Sequence, residues 1–452
     1  MSSWQPPSAG ALTRAIGLTQ ATAAVAGIIL GAAIFVQPSE IARLVPSVTG
    51  VLLVWTVCGL LTLVGALVCA ELAAAFPQTG GVYIYLKEMY SPLFGFLWGW
   101  AMFWSIHSGI VAATAVIFAR YAGYFAPLSD VPTRAVAIAA IVLVSAVNYI
   151  GVRHGSATQS ALTLAKVAAV MILLAIAFTM PVPGPGEGPA PLAGGAAPGA
   201  FGLAELGLAL IAGLYTFGGW HMVTYAAGET RNPQRTIPRA LLLGTLIVTA
   251  CYIGLNAAYL RALPLEQMVH STRVAADAAT ALAGPRGAGV ISALVMVSAL
   301  GTCAGVILAG PRVYYAMAQD GLAFAWLGQT HPRFQTPHTA IVLQGVWSSL
   351  LVATGTYRAL FTRVVFTEWI FFALLAAGIF LLRRKPGAAA ARRVWGHPVT
   401  TVAFIGVSAA IVMNQVFAQP RESLIGIALV ASGIPAYYLW RRRREVRQAQ
   451  HM

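Results

Sequence analysis

Two short glycine-containing stretches interrupt long apolar segments of this chain and are the most informative part of its sequence. The first reads GIILGAAIF over residues 27–35, and the second reads GLYTFGGW over residues 213–220. Each lies within a segment that is apolar and longer than the ~20 residues that a helix needs to cross the bilayer. Non-helical backbone is tolerated at that depth only where it is buried in protein or lines a cavity. We therefore predict that these stretches, called the first break and the second break, interrupt two membrane helices.

The composition indicates that most of the chain lies in lipid. Of 452 residues, 58% are hydrophobic and only 9% are charged, whereas a soluble domain carries about 25% charged residues. The formal net charge is +15, but many of the Lys and Arg residues fall at the ends of predicted helices, as the positive-inside rule requires. We therefore predict an all-α membrane protein embedded in the lipid bilayer, with no nucleic-acid partner.

Working outward from the breaks, the apolar segments predict about twelve transmembrane helices. They cover residues 15–45, 50–76, 92–125, 132–150, 157–180, 203–228, 237–261, 286–318, 337–357, 359–383, 398–416 and 421–440. This leaves a tail of residues 1–14, a transmembrane domain of residues 15–440 and a basic tail of residues 441–452. About twice as many Lys and Arg lie on the side of the termini as on the other side, which predicts cytoplasmic termini. We expect the protein in the plasma membrane.

The breaks lie five spans apart, in corresponding positions of two halves, which indicates a transporter site built on an inverted repeat. Each break creates a helix N-terminus, whose free N–H groups favour a carboxylate, and a C-terminus, whose free carbonyls accept from an ammonium. An α-amino acid carries both groups. The alternative is that the glycines only allow close helix packing. The predicted substrate-binding residues are Ile28, Ile29, Gly31, Ala32, Ala33 and Ile34 in the first break and Tyr215, Phe217, Gly218, Gly219 and Trp220 in the second.

Several ordered motifs resemble the amino acid–polyamine–organocation superfamily, and its L-type amino-acid transporters in particular. The first break is similar to that family's G-x-I-I-G-S-G-I-F segment, and residues 215–220 are similar to its F-x-Y-G-G-W segment. Further matches are residues 77–83 (PQTGGVY) and 228–233 (GETRNP). The resemblance implies a five-plus-five inverted-repeat fold, with repeats of roughly residues 15–180 and 203–383 and extra helices within residues 398–440. It also implies substrate binding at the breaks.

The chain departs from this family pattern at two places. Ala32 and Ala33 stand where the family has Ser-Gly, which removes a hydroxyl and narrows the site. The loop of residues 127–132 lacks the cysteine with which animal members bond a heavy chain. We therefore expect no disulfide-linked heavy chain.

Lys166 lies about ten residues, or ~15 Å, inside the fifth apolar span. A buried ammonium is costly and needs polar partners. We predict that Lys166 tethers the first and eighth spans near Ser298 and Thr302, whereas snorkelling to the interface is the alternative. The resemblance places Lys166 where sodium-coupled relatives hold a sodium ion, and a role in proton transfer stays open.

The predicted function is secondary transport of neutral L-amino acids, either by sodium-independent exchange or by proton-linked uptake. The alternatives are an amine or polyamine carrier of the same superfamily and, from another class, an ion channel. No metal-ligand spacing, phosphate loop or nucleophile constellation is visible, so we expect neither an enzyme nor a cofactor. Glu368, an acid within the tenth span, is either functional or part of a solvated outer vestibule.

Overall fold

A computed structural model describes residues 16–77, 80–150, 155–180, 201–334, 336–384 and 395–450. Within these ranges the regular elements are all helical, as predicted. By length and composition, nine helices there could cross a membrane. Three shorter apolar helices, Leu18–Ile29, Lys166–Thr179 and His338–Thr354, fall within the predicted first, fifth and ninth spans.

Seventeen α-helices are numbered in chain order, with four short segments of other helical type between them. They are α1 (Leu18–Ile29), α2 (Gln37–Leu44), α3 (Val48–Ala75), α4 (Val82–Met89), α5 (Pro92–Ala101), α6 (His107–Ala122), α7 (Asp130–Ile150), α8 (Gly155–Thr179), α9 (Leu203–Thr216), α10 (Pro233–Ala262), α11 (Leu265–His270), α12 (Val274–Gln319), α13 (His338–Thr354), α14 (Tyr357–Leu382), α15 (Val399–Ala418), α16 (Pro420–Ala431) and α17 (Gly433–Gln450). The short segments are 3₁₀ helices at Ala32–Phe35, Trp220–Glu229 and Ala325–Gly328 and a π-helical turn at Met102–Ile106.

The predicted span 15–45 is divided into α1, a 3₁₀ segment and α2. The predicted span 203–228 is divided into α9 and a second 3₁₀ segment. Both interruptions fall in the stretches that the sequence analysis named as breaks. Around them, α3 and α1 pack against α10, while α6 and α8 pack against α12.

Helix α12 begins twelve residues before the predicted eighth span, 286–318. Gly284 interrupts it with φ 69° and ψ −173°, a backbone conformation that glycine adopts at little cost. Pro285 follows and has no N–H to donate. The portion after Pro285 corresponds to the predicted span, and the portion before it was not predicted.

Charged side chains tie helix ends together. Glu71, near the end of α3, is buried and accepts two hydrogen bonds from Arg383, at 2.9 Å from Nε and 2.8 Å from Nη2. Near the other end of α14, Arg358 Nη2 lies 2.6 Å from the carboxylate of Glu40 in α2. These two pairs connect α14, in the second half of the predicted repeat, to two helices of the first half.

Candidate functional site

The first break is a tight turn followed by a new helix start. Leu30 has φ −64° and ψ 69°, the conformation of an inverse γ-turn, and the Gly31 N–H donates to the carbonyl of Ile29. Gly31 is extended, and the 3₁₀ segment Ala32–Phe35 begins directly after it. The first N–H groups of a helix have no partner within that helix. The N–H groups that lead this segment are therefore available to an anion.

The second break follows α9 and meets the first. Gly218 N–H donates to the Tyr215 carbonyl at 3.1 Å, and Gly219 is left-handed, with φ 91° and ψ −7°. A Cβ atom placed on Gly219 would lie 2.7 Å from Cγ2 of Ile28. The backbone of the second break therefore touches a side chain of the first, and only glycine satisfies both the φ angle and this contact.

A small cavity of about 60 Å³ lies where the breaks meet. The predicted residues on its wall are Ile28, Ile29, Gly31, Ala32, Ala33, Tyr215, Gly218, Gly219 and Thr302. Most of its wall is backbone and apolar side chain. Such a cavity can bind a small zwitterion by its charged head and enclose a short side chain.

Three residues predicted for substrate binding lie behind this wall. Ile34 is fully buried. Phe217 packs against Trp55 and Tyr252, with ring centroids 6.2 and 5.0 Å away. Trp220 packs against Phe372, 5.0 Å away. The turn at each break directs consecutive side chains to different sides, so these three support the breaks and the remainder face the cavity.

Tyrosines from neighbouring helices hold the breaks, and the sequence analysis did not name them. The Tyr252 hydroxyl, in α10, lies 2.7 Å from the carbonyl of Ile29 and 3.1 Å from that of Thr216. The Tyr121 hydroxyl, in α6, donates to the Phe35 carbonyl at 2.6 Å. Carbonyls freed by a helix break need such donors. The only sequence signal was a tyrosine inside an apolar span, which is too common to be specific.

Lys166 and Thr302 are brought together. Lys166 is buried, and its Nζ donates to Thr302 Oγ1 at 2.9 Å, while Thr302 Oγ1 lies 3.1 Å from the carbonyl of Ser298. Ser298 itself is fully buried away from the cavity wall. Because Thr302 lines the cavity, the ammonium of Lys166 lies one side chain behind the candidate site.

The remaining wall residues were not predicted from the sequence to bind substrate. They are Ile110, Thr114, Thr216, Met222, Val306, Val364 and Glu368. Glu368 is 3% exposed, so it lies in the cavity wall and not in a solvated vestibule. An acid in an apolar span is a visible signal, but the sequence did not show that α14 carries it to the breaks. The two breaks contain no acidic residue, but the complete cavity wall contains one.

Comparison with known proteins places the chain in a family. The family model described as "Amino acid permease" matches residues 16–433. The chain is 30% identical to the serine/threonine exchanger SteT of Bacillus subtilis (strain 168) over 96% of this chain and 98% of that protein. It is 28% identical to the b(0,+)-type amino acid transporter 1 of Homo sapiens, over 96% and 90% of the two chains.

A further relative is the large neutral amino acids transporter small subunit 2 of Homo sapiens, at 27% identity over 95% of this chain and 81% of that protein. These relatives are transporters or exchangers of amino acids, and none is an enzyme by its description. The chain therefore belongs to the amino acid permease family, and it is a multi-span membrane transporter of amino acids.

Proposed function

We propose that the chain carries small neutral L-amino acids across the plasma membrane by alternating access, through sodium-independent exchange or proton-linked uptake. The observation that carries this proposal is the meeting of both helix breaks at one cavity. The N–H groups leading Ala32–Phe35 would bind the substrate carboxylate. The carbonyls near the end of α1 would accept from its ammonium. The backbone groups of the two breaks would therefore bind the α-carboxylate and the α-ammonium, which all α-amino acids share.

The cavity wall supports a small substrate. Ala32 and Ala33 place methyl groups beside the proposed position of the carboxylate. One methylene in a tight pocket changes binding by about 1–3 kcal/mol, so long side chains should be disfavoured. The serine/threonine exchanger from Bacillus subtilis has small neutral amino acids in its description, which agrees with this size.

The position of Lys166 supports transport without sodium. Its ammonium lies behind Thr302 and therefore close to the cavity. In a site of low dielectric constant, a fixed positive charge repels a second cation within a few ångströms. Lys166 and Thr302 would then form the link that a bound ion provides in other transporters.

The wider arrangement supports a particular topology. We propose twelve spans, two inverted five-helix repeats, two extra helices and cytoplasmic termini. The second span, α3, packs against the seventh, α10, and the third span, α6, packs against the eighth, α12. Each of these pairs joins helices that occupy the same place in the two halves. We also propose that transport needs no disulfide-linked heavy chain.

Counterflow in proteoliposomes tests the proposed function. Vesicles containing the purified chain and unlabelled alanine should accumulate labelled alanine, saturably, with sodium or with choline outside. An imposed proton gradient separates exchange from symport, because only symport would accumulate alanine in vesicles without internal substrate.

The second candidate, an amine or polyamine carrier, is favoured by one observation, the carboxyl of Glu368 in the cavity wall. Labelled putrescine in the same vesicles separates the two candidates. Saturable putrescine uptake that alanine does not compete with would refute the amino-acid proposal, and flux that never saturates would indicate a channel.

A further inference from the structure

Glu368 is an acid that the binding of the amino-acid head group does not use. It lies on the cavity wall, in α14, one turn after Val364, which also lines the cavity. The breaks, which supply the backbone groups for the head, belong to other elements. In the proposed function, the N–H groups of the breaks bind the carboxylate of the substrate and their carbonyls bind its ammonium. The carboxyl of Glu368 is therefore available to the rest of the substrate.

One oxygen of the Glu368 carboxyl also lacks a hydrogen-bond donor. Its Oε1 atom is buried, and it has no hydrogen-bond partner in the part of the chain that the structure describes. A buried polar atom without a partner is costly, and such atoms in native proteins call for an explanation, such as a ligand. Substrate entering this cavity can supply the missing donor.

We propose that Glu368 binds the side chain of the substrate and selects small amino acids whose side chain donates a hydrogen bond, such as threonine and serine. This inference rests on the proposed function. It assigns the side-chain end of the site to α14, whereas the breaks bind the head.

Charge balance favours a neutral donor over a cationic one. The Glu368 carboxyl and the Lys166 ammonium are both buried, and both are next to the cavity, the latter through Thr302. A hydroxyl side chain supplies the donor without adding charge, whereas a cationic side chain would bring a second positive charge close to Lys166 at low dielectric constant.

The test compares side chains of equal size. Threonine and valine have nearly the same shape and differ by a hydroxyl in place of a methyl group. The ratio of their strengths as competitors therefore reports the effect of the hydroxyl. Both are titrated as competitors of labelled alanine uptake into proteoliposomes containing the full chain. Supplying a donor to a buried acceptor that otherwise has none corresponds to about a 5- to 150-fold preference. We expect threonine to compete at least about fivefold more strongly than valine.

Two substitutions at Glu368 test whether its carboxyl accepts the hydrogen bond from the threonine hydroxyl. In Glu368→Leu the ratio of threonine to valine competition should fall to about one, since no acceptor remains. In Glu368→Gln, which keeps the size and one acceptor oxygen, the ratio should take an intermediate value. The control is Thr367→Val, at the neighbouring residue, whose hydroxyl bonds to the Arg363 carbonyl and to Ser105 instead. It should keep the ratio of the unmodified chain.

The outcomes separate this inference from the proposed function. Saturable alanine uptake with equal competition by threonine and valine would overturn the role of Glu368 and leave amino-acid transport intact. A ratio that survives in both Glu368 variants would do the same, as would tightest competition by 2,4-diaminobutyrate, whose side-chain ammonium is charged at neutral pH. Absence of competition by every amino acid would refute the proposed function, and the inference with it.

Discussion

The hydroxyl of Tyr252 is expected to set the geometry of both breaks at once. Tyr252 is fully buried in α10, and its hydroxyl lies 2.7 Å from the Ile29 carbonyl and 3.1 Å from the Thr216 carbonyl. Those carbonyls end α1 and α9, the helices that stop at the cavity. Tyr252→Phe removes the hydroxyl and keeps the ring. The two helix ends then lose the donor that holds them together.

The free-energy cost of Tyr252→Phe depends on the hydrogen bonds that the two carbonyls keep. Losing the partner of a buried polar group costs about 1–3 kcal/mol. The Ile29 carbonyl keeps the Gly31 N–H as a donor, which places the cost in the lower part of that range, about 1–2 kcal/mol. If the bound state depends on this arrangement, alanine affinity should fall about 5- to 30-fold. Tyr252 is not on the cavity wall, so the loss would act through the position of the breaks.

Binding is best measured by displacement of labelled alanine from the purified protein, beside thermal unfolding in the same detergent. Tyr259→Phe is the matched control. Tyr259 lies two turns further along α10, is equally buried, and its hydroxyl has no partner among the described residues. That substitution should leave affinity unchanged. Equal affinities of both variants and the unmodified chain would refute the idea that Tyr252 positions the site.

Three further predictions concern other parts of the molecule. Alanine transport should proceed equally with choline in place of sodium, because the Lys166 ammonium behind Thr302 would repel a cation at the site; a saturable sodium requirement in uptake assays would contradict this. Gly31→Ala should fold normally, since the added Cβ would approach nothing closer than 3.7 Å, yet bind alanine about 10- to 200-fold more weakly if the methyl occupies substrate space, as displacement of labelled alanine would show. Arg383→Ala should destabilise the protein by about 1.5–3 kcal/mol through two lost hydrogen bonds to Glu71. Thermal unfolding should show no comparable loss for Arg384→Ala, an exposed neighbour.

The positions of the breaks could be predicted because the constraint on them is local. Backbone N–H and C=O groups inside a bilayer must form hydrogen bonds. Glycines within an apolar segment, such as Gly31 or the pair Gly218 and Gly219, indicate where a regular helix does not form these bonds. Membrane-spanning helices could be predicted in the same way, from segment length and composition. The short helices α4 and α11 could not, because each has fewer than nine residues and therefore gives little periodic signal.

The rest of the site depends on which helices lie beside the breaks, and that is set by packing between distant segments. Glu368 and Tyr252 are ordinary residues of their own helices, separated from the first break by more than 200 positions. A membrane protein with two broken helices and a buried lysine could be predicted from the amino acids alone, because hydrophobicity, glycine and charge act locally. That α14 brings an acid into the cavity and that α10 ties both breaks together is visible only in the folded molecule, because the contacts of a side chain within a helical bundle depend on the neighbours of its helix.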